Sequence, residues 1–277
     1  MNYENNQTNA MTAREKFLLP AMVESDFSQE ELAGDLEGMQ MSFTRVKIPS
    51  GTVQFELPTD NPDDPDYEKE LTGVILYHHL NNAYWPDGKA YDDNTSPLCS
   101  STDGKLGIGE PGGVCATCAL NEYGSAPEGN AKACKNMRTL YLLRSGDLLP
   151  LQVTLPPTSL KPFREFTSRA FVMRRRASFG SVVKIGLKKM VNGSNEYSVA
   201  TFSRLYDFEG EELVQIRAYA NNFKEQMQLL LSQRNEAQGD KYKDICEYSS
   251  SQVEPANGGT AFCLGQQING DREALPA

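Results

Sequence analysis

The sequence predicts a mainly β, α+β fold: an OB-like five-stranded barrel with an inserted four-cysteine loop and a C-terminal helix. Three observations predict it. Between residues 71 and 234 the hydrophobic patterns run strand, insertion, strand, strand, helix, strand, strand, the order in which an OB barrel places its helix between the third and fourth strands. Four of the chain's six cysteines fall in or beside the insertion. The basic residues and several aromatics fall on the same strands that would form the barrel.

The elements follow in order. Residues 1–42 read as an acidic arm with one short helix around "SQEELAGDLEGM", where Ser28 and Glu31 have capping-box spacing. Residues 43–70 read as an accessory hairpin, "FTRVKIP" and "TVQFELP" joined at Ser50-Gly51, followed by the acidic loop "TDNPDDPDYEKE". The OB-like domain occupies 71–234. It opens on "LTGVILYHHL", whose simple alternation puts Val74, Leu76, His78 and Leu80 on one face and Ile75, Tyr77 and His79 on the other.

After the insertion, at about 95–137, come "RTLYLLR" and "LLPLQVTL", with Pro156-Pro157 closing the second. A helix then begins at Thr158 or Ser159 as N-cap, with the apolar stripe Leu160, Phe163, Phe166, Ala170 and Met173. Asn192-Gly193 marks the turn of a hairpin between "SVVKIGLKKM" and "EYSVATFSRLY". The last helix, to Arg234, carries Leu213, Ile216, Ala220, Phe223, Met227 and Leu230 on one face, and 235–277 reads as a polar tail.

The chain has 277 residues, 39% of them hydrophobic, enough for one large domain with embellishments or two small ones. It contains no run of about 18 apolar residues, and "MNYENNQTNAMTAREKF" lacks the basic region and apolar core of a secretory signal. A cytoplasmic protein is expected, and no membrane partner. In a reducing compartment clustered cysteines favour metal or catalysis over disulfides, while Cys246 and Cys263 stand far off in polar sequence.

The cluster is spaced C-x15-C-x2-C-x15-C over Cys99, Cys115, Cys118 and Cys134. A C-x2-C pair lets two thiolates grip one ion from a single tight turn, and two more complete an all-thiolate tetrahedron, which suits zinc. Only one such knuckle is present, so redox use of the pair and a catalytic zinc stay open beside the structural zinc that the spacing favours. No deaminase signature accompanies it, because Val114 precedes Cys115 and no glutamate follows His78 or His79 at that spacing. Phosphate-loop and nucleophile-elbow motifs are absent. The expectation is a protein that is not an enzyme.

Net charge is −10, yet Lys132 to Lys189 holds thirteen basic residues against two acidic ones, a surplus of eleven. Such segregation gives one face able to attract polyanions. A single-strand binding surface needs cations along the backbone track and flat rings on which bases stack. The candidate phosphate contacts are Lys132, Lys135, Arg138, Arg144, Arg174, Arg175, Arg176, Lys184 and Lys188, and the candidate platforms are Tyr84, Trp85, Tyr141, Phe202 and Tyr206. The one basic helix end, "VMRRRASFG", lacks the Asn or Gln companions that read adenine, so duplex recognition is disfavoured.

The run "CATCALNEYGSAPEGNAKACKN", then "LYLL" and "LPLQVTLPPTSLKPFREF", resembles a group of phage and prophage-type zinc-loop proteins, over roughly residues 71–170. In combining a zinc loop with OB-like strands the chain is similar in kind to phage replication single-stranded DNA-binding proteins. It departs from them at "NGDREALPA", which lacks a strongly acidic tail ending in an aromatic. The resemblance implies sequence-independent binding of single-stranded DNA, or RNA, in phage or mobile-element replication or recombination, alongside replication or recombination proteins. Two alternatives stand beside it: a protein-interaction module docking on a host or replication protein, and a metal-dependent nuclease using His79.

Overall fold

The computed structural model describes residues 16–20, 42–61, 63–86, 96–127, 129–193 and 195–250, with side chains as far as residue 233. The helix expected around Ser28, together with Cys263, lies outside the described residues. Within them the fold is mixed α+β, mostly sheet, with two α-helices. In chain order the elements are β1 (Arg45–Val46), β2 (Phe55–Leu57), β3 (Asp66–Glu68), β4 (Glu70–Tyr84), β5 (Cys99–Ser101), β6 (Leu106–Gly109), β7 (Gly113–Val114), β8 (Lys135–Leu143), β9 (Leu151–Leu155), α1 (Pro157–Ala170), β10 (Ser181–Asn192), β11 (Asn195–Asp207) and α2 (Gly210–Ser250).

The long strand β4 organises the sheet. Its first residues pair with β10, from Glu70↔Gly186 to Gly73↔Val183, and the rest pairs with β8, from Val74↔Leu143 to Ala83↔Lys135. β9 extends the sheet beyond β8, and β11 extends it beyond β10. At Gly73 the partner strand comes so close that a Cβ would lie 2.4 Å from the Leu143 carbonyl oxygen, so only glycine fits where β4 changes partners.

The sheet is not closed into a barrel, which corrects the expectation. Closure needs main-chain pairing of the two outer strands, and among the described residues β9 and β11 do not pair. The gap is spanned by the segment around residues 44–57. There β1 adds in parallel to the edge of β9, and the Ser198 Oγ of β11 bonds to the carbonyls of Pro49 at 2.7 Å and Thr52 at 2.9 Å. The expected accessory hairpin survives only as a bridge between Lys47 and Glu56, because β1 joins β9 while β2 pairs with β3.

A β-bulge between Ile75 and Tyr77 changes the alternation of β4. Simple alternation groups His78 with Val74. In the structure Leu76 and Tyr77 both join Val74 in one core, so His78 returns to the side of Ile75. The two sides of the sheet bury separate cores. One holds Ile75, Leu140, Leu142, Val153, Val183 and Ile185 under Phe163 and Phe166 of α1. The other holds Val74, Leu76, Tyr141 and Leu143 under Ile216, Ala220, Phe223 and Met227 of α2, as the stripe on that helix requires.

α1 starts two to three residues earlier than the sequence suggests, with Pro157 at its first position and Pro156 as N-cap. The expected caps do something else. Thr158 Oγ1 donates to the Ser198 carbonyl at 3.3 Å, and the fully buried Ser159 Oγ accepts the Ala200 N–H at 2.9 Å, so both pin α1 to β11. The stripe ends at Ala170, since the helix stops there and Met173 in the next turn is 77% exposed. α2 continues to Ser250, sixteen residues past the expected end. Among the described residues no helix is long and apolar enough to cross a membrane.

Candidate nucleic-acid interface

The α1 side of β4 and β8 is apolar near the end where β4 pairs with β10 and turns polar toward the insertion. His78 stands beside Leu140, its register partner, and Leu80 beside Arg138. Tyr123, Ala131, Lys132 and Cys134 of the cysteine loop border this end of the sheet. Between that loop, the sheet and α1 runs a groove of about 830 Å³. Five cations line it: Lys132 and Lys135 from the loop and its exit, Arg138 from β8, and Lys161 and Arg164 from α1. Among the described residues no acidic one does. Leu80, Leu160 and Phe163 supply an apolar floor.

Arg138 is the central group. Its Nη1 donates at 2.6 Å to His78 Nδ1, and its guanidinium lies 5.9 Å from the centre of the Phe163 ring, which also meets His78 edge-on at 5.3 Å. A guanidinium only donates, so His78 must present a bare nitrogen there and be neutral. Burial, reinforced by the positive charge of Arg138, pulls the His78 pKa down to about 4. Burial also lowers the pKa of Arg138 from its ordinary value. Half-buried, charged and bonded to a neutral ring, Arg138 meets no carboxylate among the described residues. A cation so placed costs free energy until an anion arrives.

His79 faces the other core. Its Nδ1 lies 2.9 Å from the Leu80 carbonyl, its Nε2 lies 3.4 Å from Tyr141 Oη, and its ring stacks with Tyr77 and Tyr141. The two histidines therefore serve opposite sides of the sheet and do not converge on one site.

The remaining residues expected at the interface lie elsewhere. Arg174, Arg176 and Arg204 surround Asp207 at 2.6, 3.7 and 3.2 Å, and Ser181 Oγ donates to it at 2.6 Å. The hydrogen bonds from Arg174 overcome burial and hold the Asp207 carboxyl well below the usual carboxylate range. Arg144 bridges Glu68 and Asp147, and Lys184 pairs with Glu70 at 3.0 Å. Lys184 and Lys188 point away from Val183 and Ile185, which pack under α1, so neither reaches the groove. Arg175 is exposed in a left-handed turn just past α1.

The expected stacking platforms are corrected in the same way. Tyr141 is 4% exposed against Phe43 and Phe223, and Trp85 is buried with Ala83 and Met137. Phe202 stacks on Phe166 and meets Phe163, while Tyr206 packs on Phe208. These rings fill the space between sheet and helices, where apolar area is buried. Tyr84 is half-buried at the start of the insertion, opposite Cys99.

The sequence reading missed Lys161 and Arg164 as site residues, and it missed Tyr123. The first two carried a signal: with Ser168 they recur at i, i+3 and i+7, one polar stripe beside the apolar stripe of α1.

The insertion extends the sheet through β5, β6 and β7. All four expected cysteines line one small pocket of about 10 Å³, room for a single atom or so, and all four are free thiols. Gly107 leaves that room, since a Cβ there would lie 3.0 Å from Cys99 Sγ and 3.7 Å from Cys115 Sγ. Burial and then the neighbouring thiols push Cys134 up to about 11, and the same causes raise Cys99. Such thiols ionise together only beside a cation. Among the described residues no three His, Cys, Asp or Glu side chains are yet close enough together to hold an ion. Comparison with protein-family models, curated proteins and solved structures found no match.

Proposed function

We propose that this chain binds single-stranded nucleic acid, without catalysis and largely without regard to sequence, in the groove between α1, the sheet and the cysteine loop. The observation that carries the reading is Arg138, a half-buried guanidinium that meets no carboxylate among the described residues, at the centre of a groove that those residues line with five cations and no acid. Phosphates are the anions such a track suits.

The strand pairing adds support. The first main strand pairs with the second and the fourth, the helix falls between the third and fourth, and an OB fold is a partly open barrel of this element order. The loop between its first two strands contributes to binding in such folds, and here that loop supplies one wall. Phage or mobile-element replication or recombination, in a host cytoplasm, is the setting that the resemblance implies.

Zinc belongs to the same reading. Cys99, Cys115, Cys118 and Cys134 would hold it in a closed all-thiolate site that fixes the loop. Metal analysis of the purified chain should find one zinc per chain, lost in Cys115→Ser.

Anisotropy titration of a labelled oligo-dT and of a duplex, at low and raised salt, tests the function. Tighter binding of the single strand is expected, with log affinity falling against log salt at a slope of about −3.5 if all five cations meet phosphates. Absence of binding at low salt, or a slope near zero, overturns the proposal.

A further inference from the structure

With the strand aromatics inside, one exposed aromatic ring among the described residues stands at the groove. Tyr123 is 78% exposed, the most of any large apolar or aromatic side chain among the described residues, and it lines the groove with Arg138 and Lys161. It sits on a braced stretch. The Gly124 and Ala126 N–H groups both donate to the Ala131 carbonyl, and Ser125 Oγ lies within 2.9 Å of the Leu120 and Glu122 carbonyls while accepting the Ala133 N–H at 3.0 Å. Asn121 Nδ2 donates to the Cys115 carbonyl at 2.7 Å and, through its Oδ1, receives Lys132 Nζ at 3.2 Å.

That same Nζ lies 5.0 Å from the centre of the Tyr123 ring. A cation therefore covers one face of a ring on a hydrogen-bonded loop, at the edge of a groove whose other charges suit phosphates. The uncovered face is flat, apolar and open to water, which suits the π-face of a base.

We propose that Tyr123 is the base-stacking platform of the groove: an unpaired base lies on the face away from Lys132, with its phosphates toward Arg138, Lys161 and Arg164. This rests on the nucleic-acid reading and deepens it. Bases in a duplex are stacked on one another and offer no free face, so the platform selects single strands.

The test compares wild type, Tyr123→Ala and Tyr123→Phe on oligo-dT, on an abasic oligonucleotide of equal length and on inorganic polyphosphate. Tyr123→Ala should weaken oligo-dT roughly 5- to 100-fold and leave the other two ligands within about twofold, while Tyr123→Phe stays near wild type. Equal losses on all three ligands, or no loss on oligo-dT, would overturn the platform while the groove stands. Wild-type protein that binds polyphosphate but no oligonucleotide overturns the nucleic-acid reading and the platform with it.

Discussion

The Asp207 cluster and the groove under α1 are both built from cations of the basic stretch, and they use them in opposite ways. Around Asp207, Arg174 and Arg176, with Arg204, close on one carboxylate that a serine also bonds. Along the groove, five cations stand with no acid among the described residues, and the half-buried Arg138 leans on a neutral imidazole. A guanidinium satisfied within its own chain holds the fold. One left with spare donors in an enclosed place costs free energy that an anion from outside would relieve.

The largest effect should come from reversing groove charge. Lys161→Glu with Arg164→Glu replaces two attractive sites by two repulsive ones, and single-strand affinity at low salt should fall by about 100-fold or more. Both sit on the polar stripe of α1, so the melting temperature should hold. The matching reversal outside the groove, Lys184→Glu with Lys188→Glu, should cost less than about threefold. Equal losses from the two pairs, measured by anisotropy, would break the distinction.

Acid should act next. His78 titrates near 4 in the folded chain against 6.5 when unfolded. The unfolded state therefore binds more protons between those values, and stability is full above about 6.5 and falls as pH drops toward 4, by about 3 kcal/mol at most. Urea melts at descending pH should show that slope, and His78→Gln should reduce it, leaving the share of His79, which burial also holds below its ordinary value. The slope from Asp207 lies lower, because its stabilisation is complete above the unfolded carboxylate value and is lost only as pH falls below it.

Asp207→Asn should be the converse of the groove variants. Three arginines would lose their counter-charge, at a cost of about 2 kcal/mol in chemical denaturation, while affinity for oligo-dT stays within about twofold. If the affinity drops in step with stability, the cluster is part of the interface.

Much of the element order was legible because its signals are local: alternation in β8 and β9, Asn192-Gly193 at the hairpin, the 3.6-residue stripe of α2. The cysteine set was legible from spacing, and its members do line one pocket. What failed depended on partners distant in sequence. One bulge at Leu76 exchanged the faces of His78 and Tyr77, and no pattern within "LTGVILYHHL" announces it. Charge summed along the chain could not tell Arg174, with Asp207 beside it, from Arg138, with none. Alternation marks aromatics on strands without saying what covers them, and strands with helices on both sides enclose such rings wholly, as Tyr141, or in part, as Phe202 and Tyr206.

The two bonds that pin α1 bear on how binding would be distributed in entropy. Ser159 accepts from Ala200 and Thr158 donates to Ser198, whose own hydroxyl reaches back to Pro49 and Thr52. The wall carrying Lys161 and Arg164 is thereby joined to β11 and to the segment that spans the open side of the sheet. Such a wall has few alternative positions to give up. The freedom lost on the proposed association would then belong mostly to the single strand, a flexible chain laid into a mould already set.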